Sequence, residues 1–567
     1  MHALRRKARQ LGDDPVLRRW LWGRLLGRWP GDGGMARGKP PYLGSEPALT
    51  APLAATHFDE LSGSASTGDI VLPLPGENIR LSPGDEHALM ARDFADTETM
   101  LGLHRFAWLP IMGDDAPPQW VSALWRAWRD AHGDRQTGWP WHPYTAAERV
   151  INILDHARRH GLPGPKDDTV LFLAGHGNAI ERSLEYFGER NTGNHLSNNG
   201  RGLFLLGLAL GIERYVALGG RILIEESARI FGPSGMLREG SSHYHLLLTR
   251  NYVSAWLAAR AQDRPETVAL EQITKRALAA LPSLVLPGGM PLIGDISPDC
   301  PPEFLAGLLP GGDMNRGWTG TRTEGERDAL TTLADPARSA TSEQDGWWRF
   351  ESGPWATLWH AAPDGWSPLP GHGHQDLGGF EVHFGGAPIF CDPGRGAYGD
   401  AGEAAAYVSA RAHNGLMIDG AEPYPPNKPY YDAAFRRGVG GAPPSMTRNT
   451  DGLTLTHNGF RLIKGVGTIT REWRFDEDTM IMTDHIDGKG RHNIVRRLHT
   501  TMPVEATPDG AMIAGAGHRF QLTCDGTVTL ENSKRWFAYG ESVPATTINI
   551  AMTAELPLEI TVALGAV

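Results

Sequence analysis

The chain has 567 residues, 41% of them hydrophobic and 21% charged, with a formal net charge of −11. That length exceeds one ordinary core and predicts two domains or more, and the composition excludes a disordered chain. The acidic balance argues against general nucleic-acid binding, which needs a basic surface to neutralise phosphate, and three scattered cysteines, Cys300, Cys391 and Cys524, do not form a disulfide framework.

The N-terminus carries Arg5, Arg6 and Lys7, but Leu11-Gly12-Asp13-Asp14 follows where a signal peptide needs an apolar stretch. No secretory signal is legible, which makes the cytoplasm the default location and leaves the periplasm open. No run of about 18 apolar residues marks a transmembrane segment. Residues 15 to 28 read as a basic helix packed on the main body, and 30 to 66, rich in Gly, Pro, Ser and Ala, as an irregular arm. Together residues 1–95 form an N-terminal arm and irregular segment.

Helical territory follows over residues 96–340. Trp120, Val121, Leu124, Trp125 and Trp128 recur at helical spacing and predict a core-facing stripe. Further apolar-periodic segments lie at about 146–160, 169–187, 200–211, 214–231, 244–261 and 268–285, joined by short loops that often carry glycine. So many consecutive helices with no strand between them exclude a parallel α/β fold. They fit an (α/α) toroid, and the lack of a fixed sequence period counts against a simple solenoid.

Beyond the boundary at Asp335 to Asp345 the pattern changes. Residues 341–567 hold short strand-like runs, among them Trp347–Phe350, Trp355–His360, Thr468–Phe475, Ile494–His499 and Thr547–Met552. Asp487-Gly488, Asp509-Gly510 and Asp525-Gly526 read as the turns between them. The predicted fold class is α+β multidomain, an N-terminal (α/α) toroid followed by a C-terminal antiparallel β-sandwich.

Chemistry concentrates first in Gly371-His372-Gly373-His374-Gln375-Asp376. Two histidines two positions apart on extended backbone face the same side. The run Phe380 to Phe384, the Gly385-Gly386 turn and Ile389-Phe390 form a hairpin that returns Asp392 to that neighbourhood, and His413 follows shortly after. His374, Asp392 and His413 are thereby candidate ligands of a two-histidine, one-carboxylate zinc site. In the helical half, polar clusters fall at helix ends: Trp141 to Tyr144 with Glu148, Arg149 and Asn152, then Asn194 to Asn199, then Glu239 to His245. Each has a plainer account as well, since Asn198 or Asn199 can cap a helix and Glu239 can be a first-turn acid.

The order Asn194-His195, Glu239-x-Ser241-x-x-Tyr244-His245, His372-x-His374 with Asp392 eighteen positions on, then Ala412-His413-Asn414, resembles the heparinase II/III-like polysaccharide lyases. The likeness spans roughly residues 135 to 500 and implies a toroid and a β-sandwich with a cleft between them. It further implies an acidic, uronate-containing polysaccharide as substrate. Asn194 and His195 would neutralise the uronate carboxylate, Tyr244 would move the proton, and His372 would act beside it. His374, Asp392 and His413 would hold a largely structural zinc. Trp141, Arg149 and Asn152 would line the sugar cleft, with Asn198, Arg201 and Glu239 as further substrate-binding residues.

The chemistry explains these residue types. Cleavage by β-elimination removes the C5 proton of the uronate, a very weak acid, so donors on its carboxylate must stabilise the developing negative charge. A tyrosine base needs a setting that lowers its pKa from about 10, which His195, His372 and Arg201 are expected to supply. Gly240 stands where many relatives carry a larger polar residue, and Gln375 intervenes between His374 and Asp376, two departures from the family pattern. Two other readings are a glycoside hydrolase using Glu239 and Asp295, and a non-catalytic glycan-binding or biosynthesis-accessory protein. Oligomeric state stays open, a dimer included.

Overall fold

Burial separates the helices of the first domain into two kinds. Helices α3 (Pro118–His132), α5 (Lys166–Arg182), α7 (Glu213–Ile230) and α9 (Thr267–Ala280) bury one face, and in α3 that face is the predicted tryptophan stripe. Helices α4 (Pro143–His160), α6 (Asn194–Leu210) and α8 (Ser242–Ala261) are buried almost all round, the mark of an inner layer. Inner and outer helices alternate along the chain, so the inner ones run in parallel. Their N-termini converge on the second domain, where Tyr144, Asn194 and Tyr244 lie near one another. A side chain on Gly202 would bring its Cβ within 2.6 Å of Ala147 Cβ, so glycine here lets α6 press against α4. Asn194 to Asn199, expected just ahead of a helix, form its first turns instead.

The computed structural model describes residues 11–12, 14–29, 37–53, 58–61, 68–134, 136–189, 191–334, 342–366, 371–399, 401–428 and 430–567. Parts of the expected irregular arm and of the 335–345 boundary lie outside them. The last toroid helix, α10 (Glu324–Leu333), and strand β3 (Trp347–Ser352) stand on either side of that boundary. Helix α1 (Pro15–Leu25) is capped by Asp14, which accepts from Leu17 N at 2.8 Å. It docks on the second domain through Asp14–Lys428 at 2.7 Å and Trp20 against Tyr430 and Tyr431. The segment expected to be irregular also contains a hairpin, β1 (Ile70–Leu74) and β2 (Glu77–Leu81), and helix α2 (Thr97–Arg105) follows it. Alternate burial of Ile70, Leu72 and Leu74 shows the period-two signal that two short strands carry too briefly to stand out.

The second domain stacks two antiparallel sheets. One has the order β3, β4 (Trp355–His360), β5 (Gly379–Phe384), β6 (Ala387–Phe390), and the last two strands are the predicted hairpin. The other has ten strands. Its middle is β10 (Val466–Phe475), β11 (Thr479–Thr500) and β16 (Glu541–Ala566). Trp355, Trp359 and Phe380 of the first sheet meet Trp473, Phe475 and Phe520 of the second in one core. Asp487-Gly488 does not end a strand. It sits at a register shift between Ile486 and Gly490 inside β11, a bulge that bends a long strand without breaking it. No described helix is long and apolar enough to cross a membrane.

Candidate active site

The Gly371–His374 turn of the β-domain is wedged between two toroid loops, Glu239–Ser241 and Gly294–Ile296. Backbone bonds stitch the three together: His372 N donates to Glu239 O at 3.0 Å, Asp295 N to His372 O at 2.9 Å, and Ile296 N to Arg395 O at 2.9 Å. Gly240 and Gly294 both have positive φ, at +73° and +83°. A Cβ on Gly240 would lie 2.9 Å from Gly373 Cα, and one on Gly294 2.6 Å from Gly240 O. The glycine at 240 thus answers to close backbone packing at this seam.

Within the wedge the side chains form one chain of contacts. Glu239 accepts from Asn194 N at 2.8 Å and from its amide at 3.1 Å, and the same amide donates to His372 Nε2 at 3.1 Å. His372 Nδ1 donates to Asp295 Oδ2 at 3.1 Å, so the network assigns Nε2 as the ring's lone-pair nitrogen. The Tyr244 ring stacks on His372, with centroids 3.4 Å apart and planes 12° apart. Ser241 caps α8 by accepting from Tyr244 N at 3.0 Å, which fixes the tyrosine in the first turn. Its hydroxyl meets Tyr398 Oη at 2.9 Å, and Tyr398 donates onward to Ile296 O at 3.1 Å. That order makes Tyr244 the donor to Tyr398. Burial, with Asp299 and Asp295 nearby, pushes the Tyr244 phenol well above its ordinary value. The lowering expected from His195, His372 and Arg201 is not found, because burial and the two carboxylates act in the opposite direction.

Asp295 is the hub. Its Oδ1 accepts from His374 Nε2 at 2.9 Å and from Arg395 at 3.2 Å, and its Oδ2 from His372. Burial alone would raise its pKa, but the His372 and His374 hydrogen bonds overcome that and hold it below the carboxylate range.

His195 is the open member of the group, with 52% of its side chain exposed. It stacks on Tyr144, centroids 4.6 Å apart, and its Nδ1 lies 2.8 Å from Glu185 Oε1. Partial burial works against its charge, but Glu185 outweighs this and raises its pKa. Glu185 itself is pulled up by burial and down, more strongly, by His195, to about 2. Behind them Tyr144 donates to Asp299, which pairs with Arg105 at 2.8 Å.

The remaining predicted contacts lie deeper. Arg149 has no exposed surface. It donates to His176 and to the carbonyls of His104 and Pro140, and its guanidinium lies 3.8 Å from the Trp128 ring. Trp141 packs on the same arginine and donates to His132 O. Both brace the toroid wall, not the cleft surface. Asn198 is buried with neither amide atom partnered among the described residues, and Asn199 pairs with Glu185. Asn152 and Arg201 line a separate cavity at the other end of the toroid. Sequence reasoning missed Tyr398, Glu185 and Asp299. Nothing local marks the first, and the two acids are single carboxylates in loops.

The three expected zinc ligands are linked through His413. His413 Nδ1 lies 2.7 Å from Asp392 Oδ2, and the His374 and His413 ring centroids are 5.1 Å apart. His374 Nδ1 and His413 Nε2 are both buried with no partner among the described residues, while each ring's other nitrogen rests on a carboxylate, Asp295 or Asp392. Two orphaned imidazole nitrogens, each backed by a carboxylate, suit a metal ion. Asp392 stands behind His413 in this arrangement. Among the described residues no three His, Cys, Asp or Glu side chains are already grouped as ligands.

Residues 334–563 match the family model described as heparinase II/III-like, C-terminal. Over those residues the C-terminal domain is similar to that family's C-terminal domain. Solved structures with the same two-domain arrangement include a heparinase III with TM-score 0.62 and 15% identity, covering 84% of this chain and 78% of that one. The heparan sulfate lyase HepC from Pedobacter heparinus gives TM-score 0.52 at 15% identity, with the same coverage. At such identity the likeness is one of fold: a helical toroid joined to a heparinase II/III-like sandwich. No curated protein matches the sequence.

Proposed function

We propose that the protein is a polysaccharide lyase that cleaves a uronate-containing acidic polysaccharide by β-elimination. The observation that carries this is the contact chain Asn194–His372–Tyr244, assembled from both domains at the N-termini of inner helices. Positive helix ends and amide donors favour a carboxylate there. Asn194 and the charged His195 would hold the uronate carboxylate and stabilise the charge that develops as the C5 proton leaves.

The resting protonation pattern divides the remaining work. Asp295 holds the His372 Nδ1–H, and the Nε2 lone pair, met by the Asn194 amide at rest, suits accepting the C5 proton once the uronate carboxylate takes over that amide. Tyr244 is held protonated and suits donation to the leaving O4. Its phenolate could act as base only after substrate binding lowers its pKa. His374 and His413 would hold a zinc ion, Asp392 either orienting His413 or exchanging that hydrogen bond for a ligand position. The ion would supply rigidity to the turn that carries His372.

The test is incubation of the purified protein with a panel of acidic polysaccharides. Elimination yields unsaturated ends that absorb in the ultraviolet and products without added water by mass spectrometry. Products carrying one added water would sink the proposal in favour of hydrolysis. That alternative has little support, because Asp295 is held ionised by three donors and Glu239 is engaged by Asn194, leaving neither free as a general acid. Metal analysis should find about one zinc per chain, lost in His413→Ala together with thermal stability.

A further inference from the structure

A cavity of about 620 Å³ lies between the C-terminal halves of α4, α6 and α8. Arg201, Arg250, Asn152 and Ser254 contribute its polar wall, and Leu154, Leu205, Leu257 and Trp318 much of its apolar wall. A buried layer separates it from the cleft: Tyr144 with Asp299 and Arg105, and Glu148 with Arg201.

The arginines here are not alike. At the rim Arg158 pairs with Glu326 at 2.7 Å, Arg322 with Asp155 at 2.7 Å, and Arg159 with Asp114. Inside, Arg201 donates to Glu148 at 3.0 Å and to Ser254 at 3.1 Å. Arg250 is only 5% exposed, and its guanidinium makes no hydrogen bond or ion pair among the described residues. Its Nε is buried without a partner. Burial and the neighbouring Arg250 depress the Arg201 pKa to about 10 despite Glu148. Two buried guanidinium groups therefore share one wall; Glu148 is taken up by Arg201 and Asp299, which feels the Arg250 charge, by Arg105. An unpaired buried charge is costly enough that a bound counter-charge is the expected remedy.

We propose that this cavity binds a small organic oxyanion, a carboxylate or phosphate on a sugar-sized body, through Arg250 and Arg201. The fork of Arg250 grips the oxyanion in two-point fashion, and the body lies against Leu154, Leu257 and Trp318. The site is separate from the proposed catalytic groups and occupies the opposite end of the same helices.

Calorimetry and thermal unfolding with D-glucuronate and with inorganic phosphate test this on the full chain. One probe should bind the wild type and raise its melting temperature, and the better probe tells carboxylate from phosphate. Arg250→Gln should weaken binding about tenfold or more. With no anion present it should melt no lower than the wild type, because it removes an unpaired charge. Ala258→Trp, which fills the cavity from its lining, should also abolish binding, whereas Tyr244→Phe should leave it within about twofold of the wild type. Failure of both probes to bind the wild type would overturn the proposal. So would binding that survives both cavity variants, or binding lost in Tyr244→Phe and kept in Arg250→Gln.

Discussion

At the N-terminal ends of α4, α6 and α8 the polar side chains are held by partners from other segments: Asn194 by Glu239 and His372, His195 by Glu185, and His372 by Asp295. In the C-terminal halves of the same helices, Arg201 is hydrogen-bonded to one carboxylate, while Arg250 has no hydrogen-bonded carboxylate among the described residues and its Nε is buried without a partner. One end is pre-organised by the protein's own groups, with His195 left open toward solvent. The other holds charge that the protein does not itself neutralise. Three parallel helices can therefore present two unlike surfaces, because what caps each end comes from different loops.

The comparison breaks most visibly at Tyr244. If the cleft end does the chemistry, Tyr244→Phe and His372→Ala should each lower activity on a cleaved polymer by about 10²–10⁴-fold, with unfolding transitions close to the wild type in Tyr244→Phe. Full activity in Tyr244→Phe would remove the tyrosine from the reaction. Next in size is the layer between the ends. Arg201→Met leaves Glu148 buried and unpaired, and should cost about 3–5 kcal/mol in denaturant unfolding. A loss under about 1 kcal/mol would mean that water reaches the layer.

A smaller effect is expected at the seam. Gly240→Ala imposes a left-handed conformation on a residue with a Cβ, costing about 1–2 kcal/mol, and it also pushes on Gly373. Activity should fall along with stability, since Gly373 separates His372 from His374. The smallest effect concerns pH. The His195 pKa is raised, so its pairing with Glu185 contributes fully below the unfolded histidine value and is lost as pH rises through the folded value. Glu185→Gln should lower the His195 pKa in an NMR titration and shift the alkaline rise of KM to lower pH. An unchanged titration would show that solvent screens the pair.

The His372-His374 pair was legible as one site, because alternation puts both side chains on the same side, whereas their division into a cleft residue and a metal ligand came from the family resemblance. The toroid was legible because helical segments follow one another with no strand between them and no fixed repeat period. Three things were hidden by long-range effects. Asp295 joins the site only because backbone pairing with His372 and Arg395 brings a distant loop to the seam. Arg149 sits in a polar cluster along the chain, yet three acceptors and an aromatic slot draw it inside. The length of β11 was obscured because Asp487-Gly488 has the chemistry of a turn and the backbone of a bulge.

The stitched seam has a mechanical consequence. Three main-chain hydrogen bonds run across the junction of the two domains at the reacting groups, and Asp295 adds side-chain bonds to His372, His374 and Arg395. Opening the two domains like a shell at that point would break all of them at once and scatter the reacting groups. The groups proposed to react therefore stay assembled only while the two domains remain joined along this seam.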